Sequence, residues 1–353
     1  MPQDTFRKLQ QYLDLLSLGF PPTDSGIEIE ILRKMFSERD ASLFLAMSPR
    51  LETPEDVAAR LNLDPGETAG HLEDMASRGL LFTLKKGGVT KYGTIPFVHG
   101  LFEFQVTRLD RDFSALLERY FHEAFYDAVS RSAAAFLRTV PVRESLDVTH
   151  QVAAWEDAVE ILRAQPRIVV AECICRKQQT LLGKGCGKPR EVCFMFGSMG
   201  QYYLDQGLGR EVGLEEAVRL LKEARDAGLV TQPATAQNPG GMCNCCGDCC
   251  SVLRALNLHS RPAEMVFSNY YAGVDPDACT GCGACLHRCQ MAAISMDETE
   301  HARIDRDRCI GCGLCATDCP LEAIRMVPKE EQRVPPHGTM EQMLNMARLR
   351  GLA

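Results

Sequence analysis

Apolar and polar residues alternate along the first hundred positions in a pattern that predicts three helices and a hairpin. A helix is predicted over 38–47, and residues 53–56, Thr-Pro-Glu-Asp, supply an N-cap, a proline at the first helical position and an acidic first turn for the next helix. The third helix, over 65–78, ends at Gly79, and two short strands are predicted over 80–84 and 89–95.

This order of elements is that of a winged helix, and residues 38–98 resemble the winged helix-turn-helix domains of small bacterial regulators. A helix that reads DNA presents hydrogen-bond donors to bases and phosphates. The candidate recognition helix instead carries the acidic Glu67, Glu73 and Asp74 against His71 and Arg78. We therefore expect a packing or protein-interaction domain that does not bind DNA.

Further along the chain, helical periodicity and a buried strand precede the first cysteine. A long helix is predicted over 113–137, with an aromatic stripe that we expect to form core, and a second helix over 152–162. The apolar residues 167–171 predict a buried strand that ends at Cys173. A helix over 214–227, capped by Gly228, leads to a further strand and then to a loop over 232–241.

The distribution of cysteine divides the chain, because all 17 cysteines follow residue 172. The N-terminus lacks the features of a signal peptide and no apolar run is long enough to span a membrane, so we expect a cytoplasmic protein without membrane insertion. In the reducing cytoplasm these cysteines favour metal ligation over disulfides. The net charge of −8 argues against binding of the chain to nucleic acids or anionic membranes.

Two cysteine motifs repeat with an offset of 30 residues near the end of the chain. Residues 279–289 read Cys-Thr-Gly-Cys-Gly-Ala-Cys-Leu-His-Arg-Cys, and residues 309–320 read Cys-Ile-Gly-Cys-Gly-Leu-Cys-Ala-Thr-Asp-Cys-Pro. Zinc sites use pairs of cysteines separated by longer loops, so this spacing favours two four-iron, four-sulfur (4Fe-4S) clusters. The glycines permit positive φ, which lets backbone N–H groups turn toward the sulfurs.

The repeated motif resembles the bacterial ferredoxins that hold two 4Fe-4S clusters. In that family the fourth cysteine of each motif ligates the cluster of the other repeat. The resemblance implies two ligand sets: Cys279, Cys282, Cys285 and Cys319 for one cluster, and Cys309, Cys312, Cys315 and Cys289 for the other. Gln290 departs from the family, which has proline there, as at Pro320.

Nine cysteines remain outside the repeats, in two groups: Cys173, Cys175, Cys186 and Cys193, and then Cys243, Cys245, Cys246, Cys249 and Cys250. We interpret them as metal ligands of at least one further iron–sulfur cluster, with zinc as the alternative metal and buried inert cysteines as the alternative role. Both groups are expected in loops, as one shared site or as two. Arg176 and Lys177 either lower thiol pKa values or are solvated charges.

The cysteines of residues 166–325 together resemble a class of uncharacterised ferredoxin-domain proteins of anaerobic bacteria and archaea, which implies electron transfer without naming a reaction. We predict an α+β multidomain protein with a cysteine-rich α/β middle domain. The expected parts are N-terminal helices (1–37), a winged helix-like domain (38–98), a helical region (99–165), the cysteine-rich domain (166–270), a ferredoxin-like dicluster domain (271–328) and a C-terminal tail (329–353).

These features favour an iron–sulfur electron-transfer protein or redox subunit over a stand-alone enzyme, with a flavin or iron–sulfur protein as its redox partner. One alternative is a redox-responsive winged-helix regulator. Another is an oxidoreductase whose cysteine-rich domain holds a substrate-reducing cluster. Signatures of serine hydrolases, zinc proteases and nucleotide sites are absent from the sequence. The oligomeric state is left open.

Overall fold

The computed structural model of the protein describes residues 4–48, 50–146 and 153–352. Helices and a hairpin form the first part: α1 (Thr5–Asp14), α2 (Ile27–Met35), α3 (Glu38–Ala46), α4 (Pro54–Leu61), α5 (Pro65–Ser77), β1 (Phe82–Lys86) and β2 (Val89–Gly93). The next part is helical: α6 (Arg111–Tyr120), α7 (Tyr126–Phe136) and α8 (Ala158–Arg163).

The predicted order of three helices and a hairpin is confirmed in α3, α4, α5, β1 and β2. The side chain of Thr53 accepts a hydrogen bond from the N–H of Asp56, and the Asp56 carboxylate accepts one from the N–H of Thr53, so α4 begins with a capping box. Gly79 ends α5 at a φ of +73°, where a Cβ would lie 2.9 Å from the Cβ of Phe104. Membership of the winged-helix class stays a prediction.

The long helix predicted over 113–137 is interrupted by a π-helical turn at Phe121–Phe125, between α6 and α7. Its aromatic stripe is core, as expected, because Tyr120, Phe121 and Phe125 are buried. The helix predicted over 152–162 is wrong in its first half, where a 3-10 turn at Ala154–Glu156 precedes α8. Val152 itself lies outside the described residues.

A five-stranded sheet in the order β5-β3-β4-β7-β6 organises the middle of the chain. The elements of this part are β3 (Ile168–Glu172), α9 (Ile174–Leu181), β4 (Glu191–Phe196), α10 (Gly197–Asp205), β5 (Gly209–Val212), α11 (Leu214–Asp226), β6 (Val230–Pro233), β7 (Gly241–Cys245) and α12 (Ser251–Asn257). All its strand pairs are antiparallel, so the predicted α/β class is wrong for this domain and α+β is correct.

The two faces of this sheet enter different cores. Val170 and Phe194 belong with Leu221 of α11 to one apolar core. Ala171 and Cys193, which occupy the alternate positions of the same strands, belong to the main core on the other side. Because successive side chains of a strand point to opposite faces, the sheet directs its cysteines toward the N-terminal helices.

Two short repeats form the next part, residues 270–328, which we call the repeat unit. Its elements are β8 (Tyr270–Val274), α13 (Ala284–Arg288), β9 (Ile294–Met296), β10 (Ala302–Ile304), α14 (Leu314–Thr317) and β11 (Ile324–Pro328). β8 pairs with β11 and β9 pairs with β10, both antiparallel. The expected C-terminal tail contains a helix, α15 (Thr339–Leu349), in which Gln342 Nε2 donates to the carbonyl oxygen of Phe136 at 2.7 Å.

Over the parts of the chain that the structure describes, we find no helix with the length and apolarity needed to cross a membrane.

We predict that the full-length protein does not bind DNA tightly, because the basic side chains in and directly after α5 are already paired. Arg78 Nη2 donates to Asp40 at 2.9 Å and to Asp74 at 2.7 Å, and His71 Nε2 lies 2.7 Å from Asp40. Although burial alone would raise it, these hydrogen bonds hold the pKa of Asp40 well below its usual range. The check is anisotropy on duplexes selected from a random library at physiological salt.

If the selected duplexes shared one sequence and the protein bound it with a Kd of about 10 nM, this expectation would be contradicted, because that is the affinity of a specific operator protein. The matched control is Glu67→Lys with Glu73→Lys, which puts cations on the same exposed surface of α5 and is expected to create weak, salt-sensitive binding.

Candidate metal centres

The repeat unit encloses two small cavities, each lined by four cysteines. Cys279, Cys282, Cys285 and Cys319 line the first, and Cys289, Cys309, Cys312 and Cys315 line the second. The structure thus brings together the fourth cysteine of each motif with the first three of the other motif. We call these sets the first and the second quartet.

Backbone N–H groups point at the quartet sulfurs in a symmetric pattern. The fourth cysteine of each motif accepts a hydrogen bond from an alanine four residues later: Ala293 N donates to Cys289 Sγ at 3.2 Å, and Ala323 N to Cys319 Sγ at 3.3 Å. Ala302 N donates to Cys279 Sγ at 3.4 Å, with an equivalent bond to Cys309 from Ala272. Such bonds stabilise negative charge on the sulfurs, which tunes the potential of a bound cluster.

The motif glycines have the expected positive φ, and they allow close packing. Gly311, at a φ of +73°, lies so near Ser268 and the carbonyl oxygen of Tyr270 that a side chain would collide with both. Gly313, at +76°, packs against Ser145 in the same way. These contacts seat the second quartet against the body of the protein.

The two quartets differ in exposure. Cys282 of the first quartet is exposed to solvent. In the second quartet, the carbonyl oxygen of Cys312 accepts a hydrogen bond from Val142 N at 3.0 Å, and burial raises the pKa of the Cys312 thiol to about 12. The first quartet therefore faces the surface and the second faces the interior.

Six of the remaining nine cysteines form a closed ring of interacting thiols. Each interacts with its two neighbours, in the order Cys173, Cys175, Cys250, Cys245, Cys243, Cys193 and back to Cys173. All of them line one cavity of about 50 Å³. We call this set the thiol ring.

Secondary structure, not loops as expected, positions most of the thiol ring. Cys193 lies in β4, whereas Cys243 and Cys245 lie in β7. Because Phe194 pairs with Met242, the register of β4 with β7 brings Cys193 beside Cys243. The other members stand at helix starts, with Cys173 and Cys175 at α9 and Cys250 immediately before α12.

Interactions between neighbours concentrate negative charge in the thiol ring. At Cys173, Cys243 and Cys250, hydrogen bonds from the two adjacent thiols lower the pKa. Arg176 lowers that of Cys173 further, and His99 that of Cys243. At the three alternate positions the pKa is raised, first because those thiols donate to their neighbours and then because of burial. Buried thiolates of this kind are the ligands that iron–sulfur clusters and zinc prefer.

The last three cysteines, Cys186, Cys246 and Cys249, form a separate group that we call the thiol triad. Their sulfur atoms all lie within 4.8 Å of one another, and those of Cys186 and Cys246 are 3.8 Å apart. A hydrogen bond from the Cys249 thiol and the charge of Arg176 lower the pKa of Cys246 to about 6. Sulfur ligands about 2.3 Å from one tetrahedral ion lie about 3.8 Å apart, so the thiol triad fits a single metal ion.

Arg176 stands between the thiol ring and the thiol triad. It is only 2% exposed, its Nη2 donates to the carbonyl oxygen of Asn244 at 2.9 Å, and its Nη1 lies 3.7 Å from the sulfur of Cys246. The interpretation of Arg176 as a solvated charge is therefore wrong, whereas Lys177 pairs with Glu172 at 3.0 Å near the surface. The guanidinium offsets thiolate charge in both groups.

Sequence reasoning missed His99 and Glu103, which lie beside the thiol ring. The Nδ1 atom of His99 is 3.4 Å from a Glu103 oxygen, and its ring also hydrogen-bonds to Cys243. Although burial alone would lower it, the charges of Glu103 and Cys243 raise the pKa of His99 to about 9. No motif in the sequence marks this pair, because it meets the cysteines only through the tertiary fold.

Gln290 connects the repeat unit to the thiol triad. Its Oε1 accepts a hydrogen bond from Gly247 N at 2.8 Å, and its carbonyl oxygen accepts one from Asn257 Nδ2 at 2.9 Å. A Cβ on Gly247 would lie 2.6 Å from that carbonyl oxygen, so only glycine fits. Proline has no side-chain acceptor and could not accept the hydrogen bond from Gly247. The departure from the ferredoxin pattern at residue 290 was therefore the sequence signal for this contact.

Comparison with known proteins places one part of this structure in a family. Residues 272–326, which contain both quartets, match the family described as the 4Fe-4S dicluster domain. The chain has no match among curated proteins and none among solved structures. The chain therefore carries an iron–sulfur domain of ferredoxin type at residues 272–326, which supports a role in electron transfer.

Proposed function

We propose that the protein is an electron-transfer component in which two 4Fe-4S clusters exchange electrons with further metal bound in the middle domain. The observation that carries the proposal is that all nine cysteines outside the matched domain gather into two groups, the thiol ring and the thiol triad. Inert buried cysteines have no reason to converge from residues as distant as 173 and 250.

The thiol ring suits a cluster of several metal atoms. Two sulfur ligands of one ion at about 2.3 Å lie at most about 4.6 Å apart. Among the described residues, no three sulfurs of the thiol ring all lie within 4.8 Å of one another, and the same holds for each quartet. The quartets belong to a dicluster domain, so this spacing supports an iron–sulfur cluster in the thiol ring as well.

The thiol triad suits one ion, either iron or zinc. Three thiolates leave a fourth tetrahedral position for another ligand. The low pKa of Cys246 supports metal binding near neutral pH, since less free energy is spent on removing its proton.

Contacts between the parts support an order of the centres along the electron path. Exposed Cys282 puts the first quartet where a partner protein, carrying flavin or an iron–sulfur cluster, can approach. The second quartet faces inward, and the hydrogen bond from Gly247 to Gln290 joins it to the loop of the thiol triad. We propose that electrons pass from the partner through the first and then the second quartet to the middle domain.

We predict that anaerobically purified protein contains more iron than the about eight atoms of two 4Fe-4S clusters. Cys245→Ser in the thiol ring is expected to lose iron and sulfide together. Cys249→Ser in the thiol triad is expected to lose one metal ion and no sulfide. Iron, zinc and acid-labile sulfide analysis of each variant provides the measurement.

Ser251→Ala is the matched control, because Ser251 follows Cys250 and has no proposed ligand role. Wild-type protein with about eight iron atoms and no zinc would refute metal binding in the middle domain. A Cys245→Ser variant with the same content as Ser251→Ala would refute the cluster in the thiol ring.

We also predict that ligation is crossed between the two motifs. Cys289→Ala removes a thiolate from the second quartet and leaves the first quartet complete, so it is expected to abolish the same EPR signal as Cys312→Ala. Cys319→Ala is expected to abolish the other signal. Spectra of the reduced variants are compared with that of Cys282→Ala, and a match between Cys289→Ala and Cys282→Ala would mean that each motif ligates its own cluster.

A further inference from the structure

A second cavity, of about 220 Å³, opens beside the thiol ring. Its walls are largely apolar and include Phe104, Phe136, Met199, Met242, Met343 and Met346. An engineered cavity of about 150 Å³ in another protein binds benzene, so this one has room for a single aromatic ring with a substituent.

The cavity meets the thiol ring at one end. Cys243, His99, Glu103 and Tyr203 line both this cavity and the smaller one that all six cysteines of the thiol ring enclose. A molecule held in the larger cavity therefore lies next to whatever metal the thiol ring binds.

The polar groups at this junction lie in an apolar wall. Glu103 is 9% exposed and accepts a hydrogen bond from Gly100 N at 2.8 Å, while His99 lies between Glu103 and Cys243. A ligand oxygen that enters the junction can share the N–H that His99 directs at Cys243, as a second acceptor beside the sulfur. The junction thus favours a molecule that is apolar at one end and carries a hydrogen-bond acceptor at the other.

Helix α15 closes the opposite wall with Met343 and Met346. Gln342 fastens this helix to α7 by donating to the carbonyl oxygens of Ala135 and Phe136. Met340, on the same helix, is 74% exposed and does not line the cavity.

We propose that this cavity binds a compact, largely apolar organic molecule whose hydrogen-bond acceptor faces His99 at the edge of the thiol ring. The cavity would make the middle domain a site where a small molecule contacts the metal centre. This part of the inference rests on the proposed function, whereas binding in the cavity does not.

The test uses full-length, anaerobically prepared protein and two fluorinated probes, 4-fluoroacetophenone and 1-ethyl-4-fluorobenzene, followed by ¹⁹F NMR titration. Both probes are expected to bind, and the ketone about fivefold more tightly, the effect of one net hydrogen bond. That preference is expected to vanish in His99→Ala. In iron-loaded wild-type protein the bound resonance is expected to broaden beyond its width in Cys245→Ser, the variant that is expected to lack the cluster of the thiol ring.

Met346→Trp and Met199→Trp fill the cavity from two walls, and each is expected to abolish binding of both probes. The control Met340→Trp, on the exposed side of α15, is expected to bind them like wild type. The EPR signals of the two quartets report whether each variant is folded.

Absence of probe binding, or binding that survives both cavity-filling substitutions, would overturn the assignment of the cavity. Binding that is lost in those variants, but shows no metal-dependent broadening in protein with verified iron in the thiol ring, would overturn contact with the metal centre. Iron analysis of the same samples separates these outcomes from a failure of the proposed function, in which the probes bind as expected but the thiol ring contains no metal.

Discussion

Thiolates that bind metal are negatively charged, and the middle domain holds nine cysteines where water has little access. Such charge is stable in a protein interior only when cations oppose it. Arg176 supplies one positive charge between the thiol ring and the thiol triad, and His99 a second at the edge of the ring. Two protein cations do not balance a full set of thiolates, so under the proposed function the bound metal supplies the remaining positive charge and with it stability to the domain.

The antiparallel sheet gathers the cysteines on one side because successive side chains along its strands point to opposite faces. Alternation along its strands sends Phe194 into the apolar core against α11 and Cys193 into the space beneath the N-terminal helices. The segment that follows β2 supplies His99 and Glu103. The N-terminal part therefore serves as a wall of the cysteine-rich region, and the internal pairing of Arg78 with Asp40 agrees with a packing role.

Local signals in the sequence predicted much of the fold, because they act over a few residues. The N-cap at Thr53, the end of α5 at Gly79 and the cysteine spacing of the repeat unit are of this kind. Such signals could not predict the division of the nine cysteines into the thiol ring and the thiol triad. That division depends on the register of β4 with β7 and on packing between residues far apart in sequence. The expectation of loops failed because Asn and Gly around Cys243 suggested turns, whereas pairing with neighbouring strands made this segment β7.

The contact between Gln290 and Gly247 has a consequence for how the protein matures in the cell. Residues 173–250 supply the whole thiol ring, but the repeat unit then bonds to the loop of the thiol triad, and α15 bonds to Phe136, which lines the cavity of the ring. Under the proposed function, iron that arrives before these later segments fold meets more accessible thiols than iron that arrives at the finished chain. The proposed function therefore couples filling of the ring to folding of the chain, and protein synthesised without iron is expected to differ in structure from mature protein that has lost it.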